Sequence, residues 1–150
     1  MIALASDFAG FPLKKIIMEH LDSRGIEYKD FGTYDTEPCD YPVYALKAAN
    51  AVKDGICEKG ILFCGSGVGI SIAANKVKGI RCVCCSEPYS ALMSRQHNDA
   101  NMLALGSRVV GGELAKMIVD MWLSGEFMGG PHKKRIDMIS QIEETGTLDE

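Results

Sequence analysis

Cys64 ends an apolar run, Gly60–Cys64, and is followed at once by Gly65-Ser66-Gly67-Val68-Gly69. Glycines let a backbone approach a ligand closely and turn its N–H groups toward it. A helix that begins behind such a loop adds partial positive charge, which favours an anion or a thiolate. A thiol placed there is a candidate base or nucleophile. The plainer alternative is a buried cysteine beside a tight strand-to-helix turn. Three familiar motifs are excluded by spacing. Gly65, Gly67 and Gly69 miss the G-x-G-x-x-G of dinucleotide sites, and no Gly-Lys-Ser/Thr follows. Ile70 stands where a Cys-x-x-x-x-x-Arg phosphatase needs its arginine.

His97 lies in Ser94-Arg95-Gln96-His97-Asn98-Asp99, which reads as a polar segment between a helix and a strand. A histidine there suits general acid–base work near neutral pH, and equally a helix cap or a solvated position. Arg108 follows Gly106-Ser107, and Arg135 closes the basic run His132-Lys133-Lys134-Arg135. Such a run is either a solvated face or a local anion site in a chain of net charge −4.

The elements that must position these groups alternate. Strand-like runs cover Ile2–Ser6, Glu27–Phe31, Gly60–Cys64, Ile80–Cys85 and Met102–Leu105. Helical spacing covers Pro12 to Gly25, about Tyr44 to Lys53, Ile70–Lys76, Tyr89–Gln96 and Glu113–Leu123. A last amphipathic helix follows Gly129-Gly130-Pro131 through Ile136, Ile139 and Ile142. Residues 32–42 read as a polar loop, and the tail over 145–150 as frayed. This pattern predicts an α/β chain with about five parallel strands in a three-layer αβα sandwich, Rossmann-like or flavodoxin-like. One domain is expected over 1–150. Ligands of such sheets bind outside the carboxyl ends of the strands. That rule groups Asp7, the loop from Gly32 to Tyr41, Cys64–Gly69 and the segment near His97.

Composition narrows the class. Hydrophobic residues make up 47% and charged ones 24%, which excludes a disordered or collagen-like chain. Sixteen Lys and Arg against twenty Asp and Glu exclude the broad positive field that nucleic acid requires. No apolar run approaches the roughly 20 residues of a membrane span. The opening residues meet Asp7 with no basic segment ahead of it, so a cytoplasmic protein without a signal peptide is expected. Of six cysteines, Cys82 and Cys85 have C-x-x-C spacing, but no second ligand pair accompanies them. Reduced thiols and no metal are expected.

Three strings taken together resemble one family. They are Cys64-Gly65-Ser66-Gly67-Val68-Gly69-Ile70-Ser71-Ile72-Ala73-Ala74-Asn75-Lys76, Ser94 through Asn101, and Gly106-Ser107-Arg108-Val109-Val110-Gly111. They are similar to the type B ribose-5-phosphate isomerases of the ribose/galactose isomerase family, which also holds allose-6-phosphate and galactose-6-phosphate isomerases. Asp40-Tyr41-Pro42 and the last basic helix fit as well, from Ile2 to about Glu143.

The resemblance implies a cofactor-free and metal-free interconversion of ribose 5-phosphate and ribulose 5-phosphate. It implies a homodimer with sites shared between chains. By position, Cys64 would move the proton between C1 and C2, and His97 would open the sugar ring. The segment Gly65, Ser66, Gly67, Val68 and Gly69 would hold the enediolate oxygens. Asp7, Tyr41 and Asn98 would touch the sugar, and Arg108 and Arg135 the phosphate. Two positions depart from the family pattern: Phe8 stands in place of a histidine, and Pro131 in place of an arginine. Both lost residues are phosphate ligands in that pattern, with Lys133, Lys134 or Lys14 as candidate replacements. Weaker phosphate binding or an altered sugar preference follows from that loss, and an isomerase of another aldose phosphate or a non-catalytic phosphosugar-binding module stays open.

Overall fold

The structure is a computed structural model and describes residues 1–149. Five strands alternate with helices: β1 (Ile2–Ser6), α1 (Phe11–Ser23), β2 (Tyr28–Asp30), α2 (Tyr41–Lys53), β3 (Lys59–Cys64), α3 (Val68–Ala74), β4 (Cys82–Cys84), α4 (Pro88–Asn98), β5 (Met102–Gly106), α5 (Gly112–Ser124) and α6 (Pro131–Thr145). Every strand pairing is parallel, in the order β2-β1-β3-β5-β4. The parallel αβα expectation holds. The order departs from a plain flavodoxin sheet in one respect, because β5 slips between β3 and β4 and leaves β4 at the edge.

Strand alternation divides the core into two layers. Ile2, Leu4, Ile61, Phe63, Leu103 and Leu105 face α1 and α5. Ala3, Ala5, Leu62, Cys64, Met102 and Ala104 face α2 and α3. The second face is built from small residues, with Ala45, Ala48 and Ala49 of α2 fully buried against it. Small side chains let α2 lie close to the sheet, which brings its first turn near the end of β3.

Proline opens four of the six helices, α1, α2, α4 and α6, where its missing N–H costs nothing. This corrects two boundaries. Pro42 starts α2 at Tyr41, so Tyr41 belongs to a helical first turn and not to a loop. Helix α4 runs on to Asn98 and stops at Asp99, which takes a left-handed φ of 46°. His97 and Asn98 therefore sit in the last turn of α4, not in a loop. The strand expected over 80–85 shortens to Cys82–Cys84 at the exposed edge.

Trp122 of α5 is fully buried against the sheet face that carries Leu4, Ile61 and Leu103. Ile136 is the buried residue of α6, while Ile139 and Ile142 stay about half exposed. Gly146 closes α6 in a left-handed conformation, and residue 150 of the tail expected to fray lies outside the described residues.

Candidate active site

The sheet changes winding direction between β1 and β3, and the loops after these strands bound a cavity of about 410 Å³. Crevices of this kind are where open parallel sheets take ligands. Asp7, Phe8 and Ala9 line it from the β1 side, Cys64, Gly65, Ser66 and Gly69 from β3, and Tyr41 from α2. Arg108 and Val109 close it from the loop after β5. Eight of these ten residues were expected from sequence. Ala9 and Val109 were missed, although each adjoins a residue that was named.

Cys64 is the last residue of β3 and points to the α2–α3 face, 4% exposed and lining the cavity. Its Sγ accepts the backbone N–H of Gly67 at 3.1 Å. The turn that delivers this N–H needs glycine: Gly67 has φ +80°, and a Cβ there would stand 2.9 Å from the Leu105 carbonyl carbon. The Val68 N–H goes to Ser66 Oγ at 3.2 Å. Two amides of the loop are thus held within the loop itself.

The strand-end loops brace one another. Ser107 N–H donates to the Cys64 carbonyl at 2.9 Å, Arg108 N–H to the Gly65 carbonyl at 3.0 Å, and Ser107 Oγ to the Ala9 carbonyl at 2.6 Å. The Arg108 guanidinium lies over Gly65, where a Cβ would come within 3.3 Å of Nη1. Asp7 is nearly buried, and its Oδ1 accepts the Gly10 N–H at 2.9 Å. Tyr41 packs its ring on Gly69 so tightly that a Cβ would approach it to 2.7 Å.

Five expected site residues are absent from this lining: Gly67 and Val68 of the loop itself, and His97, Asn98 and Arg135 on α4 and α6. Helix α4 leaves the carboxyl end of β4 and returns to the amino end of β5. At 1.5 Å per residue, His97 is about 13 Å of helix away from the carboxyl edge. His97 is instead stacked on His132 of α6, ring centroids 4.1 Å apart and planes 9° from parallel. Desolvation pushes the His132 imidazole below its ordinary pKa, with His97 and Arg135 adding to the effect. Asn98 lines a separate groove between α4, β4 and α6, together with Ile80, Val83, Ile139 and Ile142. The expectation that His97 neighbours Cys64 within one chain is overturned by the direction of α4.

The candidate replacement cations fare differently. Lys14 is fully buried and paired with Asp30, which removes it from the phosphate question. Lys133 pairs with Asp137 at 2.9 Å along α6. The other thiols near the sheet edge are poor nucleophiles. Burial pushes Cys82 and Cys84 up, and it pushes Cys85 up to about 12 with help from Glu87.

The family model described as Ribose/Galactose Isomerase matches residues 2–139. Ribose-5-phosphate isomerase B of Escherichia coli (strain K12) is 59% identical over 143 residues, covering 95% of this chain and 96% of that protein. D-erythrulose-4-phosphate isomerase of Pectobacterium atrosepticum is 43% identical over 144 residues, covering 95% and 94%. The solved structure of Clostridium thermocellum ribose-5-phosphate isomerase B superposes with a TM-score of 0.95 at 54% identity, over 97% of this chain and 99% of the other. With its family match over nearly the whole length and a relative sharing more than half its residues, the chain belongs to the ribose/galactose isomerase family.

Proposed function

We propose that this chain interconverts ribose 5-phosphate and ribulose 5-phosphate, a step of the non-oxidative pentose phosphate pathway, without metal or organic cofactor. The observation that carries the reading is the Cys64 sulfur, held by the Gly67 N–H and facing a cavity shared with Asp7 and Arg108. The relative at 59% identity is named for this reaction.

The chemistry follows from the residue types. A proton next to a carbonyl is weakly acidic, so a base and a means of holding the enediolate are both required. Cys64 thiolate takes the proton from C2 of the open-chain aldose. The C1 carbonyl oxygen gains the negative charge as the C1–C2 double bond forms. The proton of the C2 hydroxyl passes to the C1 oxygen, the same sulfur returns its proton to C1, and C2 is left as the ketone. The loop Gly65–Gly69, which includes Ser66, stabilises the charge through its dipoles. Asp7 and Tyr41 orient the hydroxyls, and Arg108 holds the remote phosphate, which fixes the reacting carbons in register.

Pentose phosphates are mostly cyclic and must first open. His97 does this by exchanging a proton with the anomeric hydroxyl and ring oxygen. It comes from a second copy of the chain, together with Asn98 and Arg135. That assignment is supported by the distance of His97 from its own Cys64 edge. Half-exposed Val43, Leu46, Val68 and Ile72 on α2 and α3, and the groove bordered by Ile139 and Ile142, supply apolar surface for such a contact.

Phe8 in the cavity wall favours a second reading, in which a different sugar phosphate is preferred. A relative at 43% identity is named for a four-carbon substrate. A panel of ribose, allose, galactose and erythrulose phosphates decides between the two. The highest kcat/KM on ribose 5-phosphate supports the first reading. A tenfold or greater preference for another sugar overturns it.

A further inference from the structure

We propose that Lys14 is a positioning residue for the sugar site, acting through the segment that carries Tyr41. The inference rests on the isomerase reading for its kinetic arm only. Lys14 is fully buried on α1, outside the cavity. Its Nζ donates to Asp30 Oδ1 at 2.7 Å and to the Thr33 carbonyl. The rings of Phe11 and Tyr34 flank the ammonium, each centroid 5.5 Å away.

A buried ion pair of this kind is a poor way to gain stability, because desolvation consumes most of the attraction. What the pair does accomplish is directional. Apart from Phe11, the partners named for the ammonium lie on the chain that leaves β2 for α2. Asp30 Oδ1 also accepts the Gly32 N–H at 2.9 Å, and Tyr34 hydroxyl donates to the Asp30 carbonyl at 3.2 Å. Gly32 and Thr33 are pinned to the end of β1, with Ser6 N–H on the Gly32 carbonyl and Thr33 N–H on the Ser6 carbonyl, both 2.7 Å. Gly32 lies against Tyr44, where a Cβ would come within 2.9 Å of the ring. Tyr44 and Tyr41 share the first turn of α2, and Tyr41 rests on Gly69 of the catalytic loop. Lys14 is thus the fixed point from which the 30–41 segment is hung, and Tyr41 is where that segment meets the substrate cavity.

The test is a double-mutant cycle between Lys14→Met and Tyr41→Ala, with amide hydrogen exchange measured alongside. Lys14→Met is expected to lower kcat/KM for ribose 5-phosphate about 10-fold, mostly through KM, because small misplacements of a positioning group are costly. On the Tyr41→Ala background the same change is expected to cost less than about 2-fold. Exchange at Gly32 and Thr33 should rise about 10-fold while amides of β3 and β5 keep their protection. This second readout needs no turnover, so it stands even if ribose 5-phosphate is not the substrate. Equal losses on both backgrounds, or unchanged exchange at Gly32 and Thr33, overturn the proposal. If Lys14→Met does not fold, Asp30→Asn replaces it in the same cycle, with the same two outcomes.

Discussion

Cys64 and His97 of one chain lie at opposite edges of the same sheet. Cys64 closes β3 at the carboxyl edge, and His97 sits in the last turn of the helix that returns to the amino edge. A site that needs both must take them from different copies. An inactive Cys64→Ala chain mixed with an inactive His97→Ala chain should then regain activity. Random exchange leaves about a quarter of the sites with both native groups in a two-fold dimer. Recovery of about that fraction after co-refolding is the expected result. No recovery means that each site is built within one chain.

The sequence departure at Phe8 makes a directional prediction. Phenylalanine offers no hydrogen bond, whereas histidine can donate one to a phosphate. Phe8→His should lower the KM for ribose 5-phosphate by about 10-fold, the equivalent of about 1.5 kcal/mol for one hydrogen bond to a charged group. Initial-rate kinetics check this. An unchanged KM means that Phe8 stands away from the phosphate.

Thiol reactivity should be selective. Only the thiolate is alkylated, and Cys85, pushed up to about 12, is ionised in about one molecule in ten thousand at pH 8. Cys82, pushed up further by burial, is still less reactive. Iodoacetamide at pH 8 should inactivate the protein through Cys64, leaving Cys82 and Cys85 unmodified by peptide mapping. Ribose 5-phosphate should slow that loss.

The turn after Cys64 should not tolerate a side chain at Gly67. Alanine there meets both a left-handed φ and the backbone of Leu105. Gly67→Ala should cost about 2 kcal/mol and lower the melting temperature by about 5 °C. The Gly67 N–H would leave the Cys64 sulfur, so kcat should fall more than stability alone explains. Calorimetry and kinetics on the same preparation check both.

The central strands were legible because Ile2–Ser6, Gly60–Cys64 and Met102–Leu105 are continuous apolar runs, as strands covered on both faces must be. The edge strand is shorter than its apolar run, since Ile80 N–H turns back to the Val77 carbonyl and the Arg81 carbonyl takes the Asn101 and Met102 N–H groups at the start of the pairing with β5. Pro42 looks like loop punctuation in the sequence but opens a helix. The polar string around His97 hid two helical residues, because its solvated face carries no apolar stripe. The half of the site near Cys64 was legible from local chemistry. The position of His97 depends on which way α4 runs, and the alternation of strands and helices already required it to run away from the carboxyl edge. The burial of Lys14 has a signal in the sequence: it is spaced with Ile17 and Leu21 on the buried stripe of α1.

The most direct test of the mechanism follows solvent deuterium into C2 of ribose 5-phosphate by NMR. The native protein should exchange that hydrogen as it isomerises the sugar. Cys64→Ala, folded and with an unchanged melting temperature, should show no exchange over the same interval. Exchange by Cys64→Ala at the native rate would contradict the assignment of the sulfur as the base.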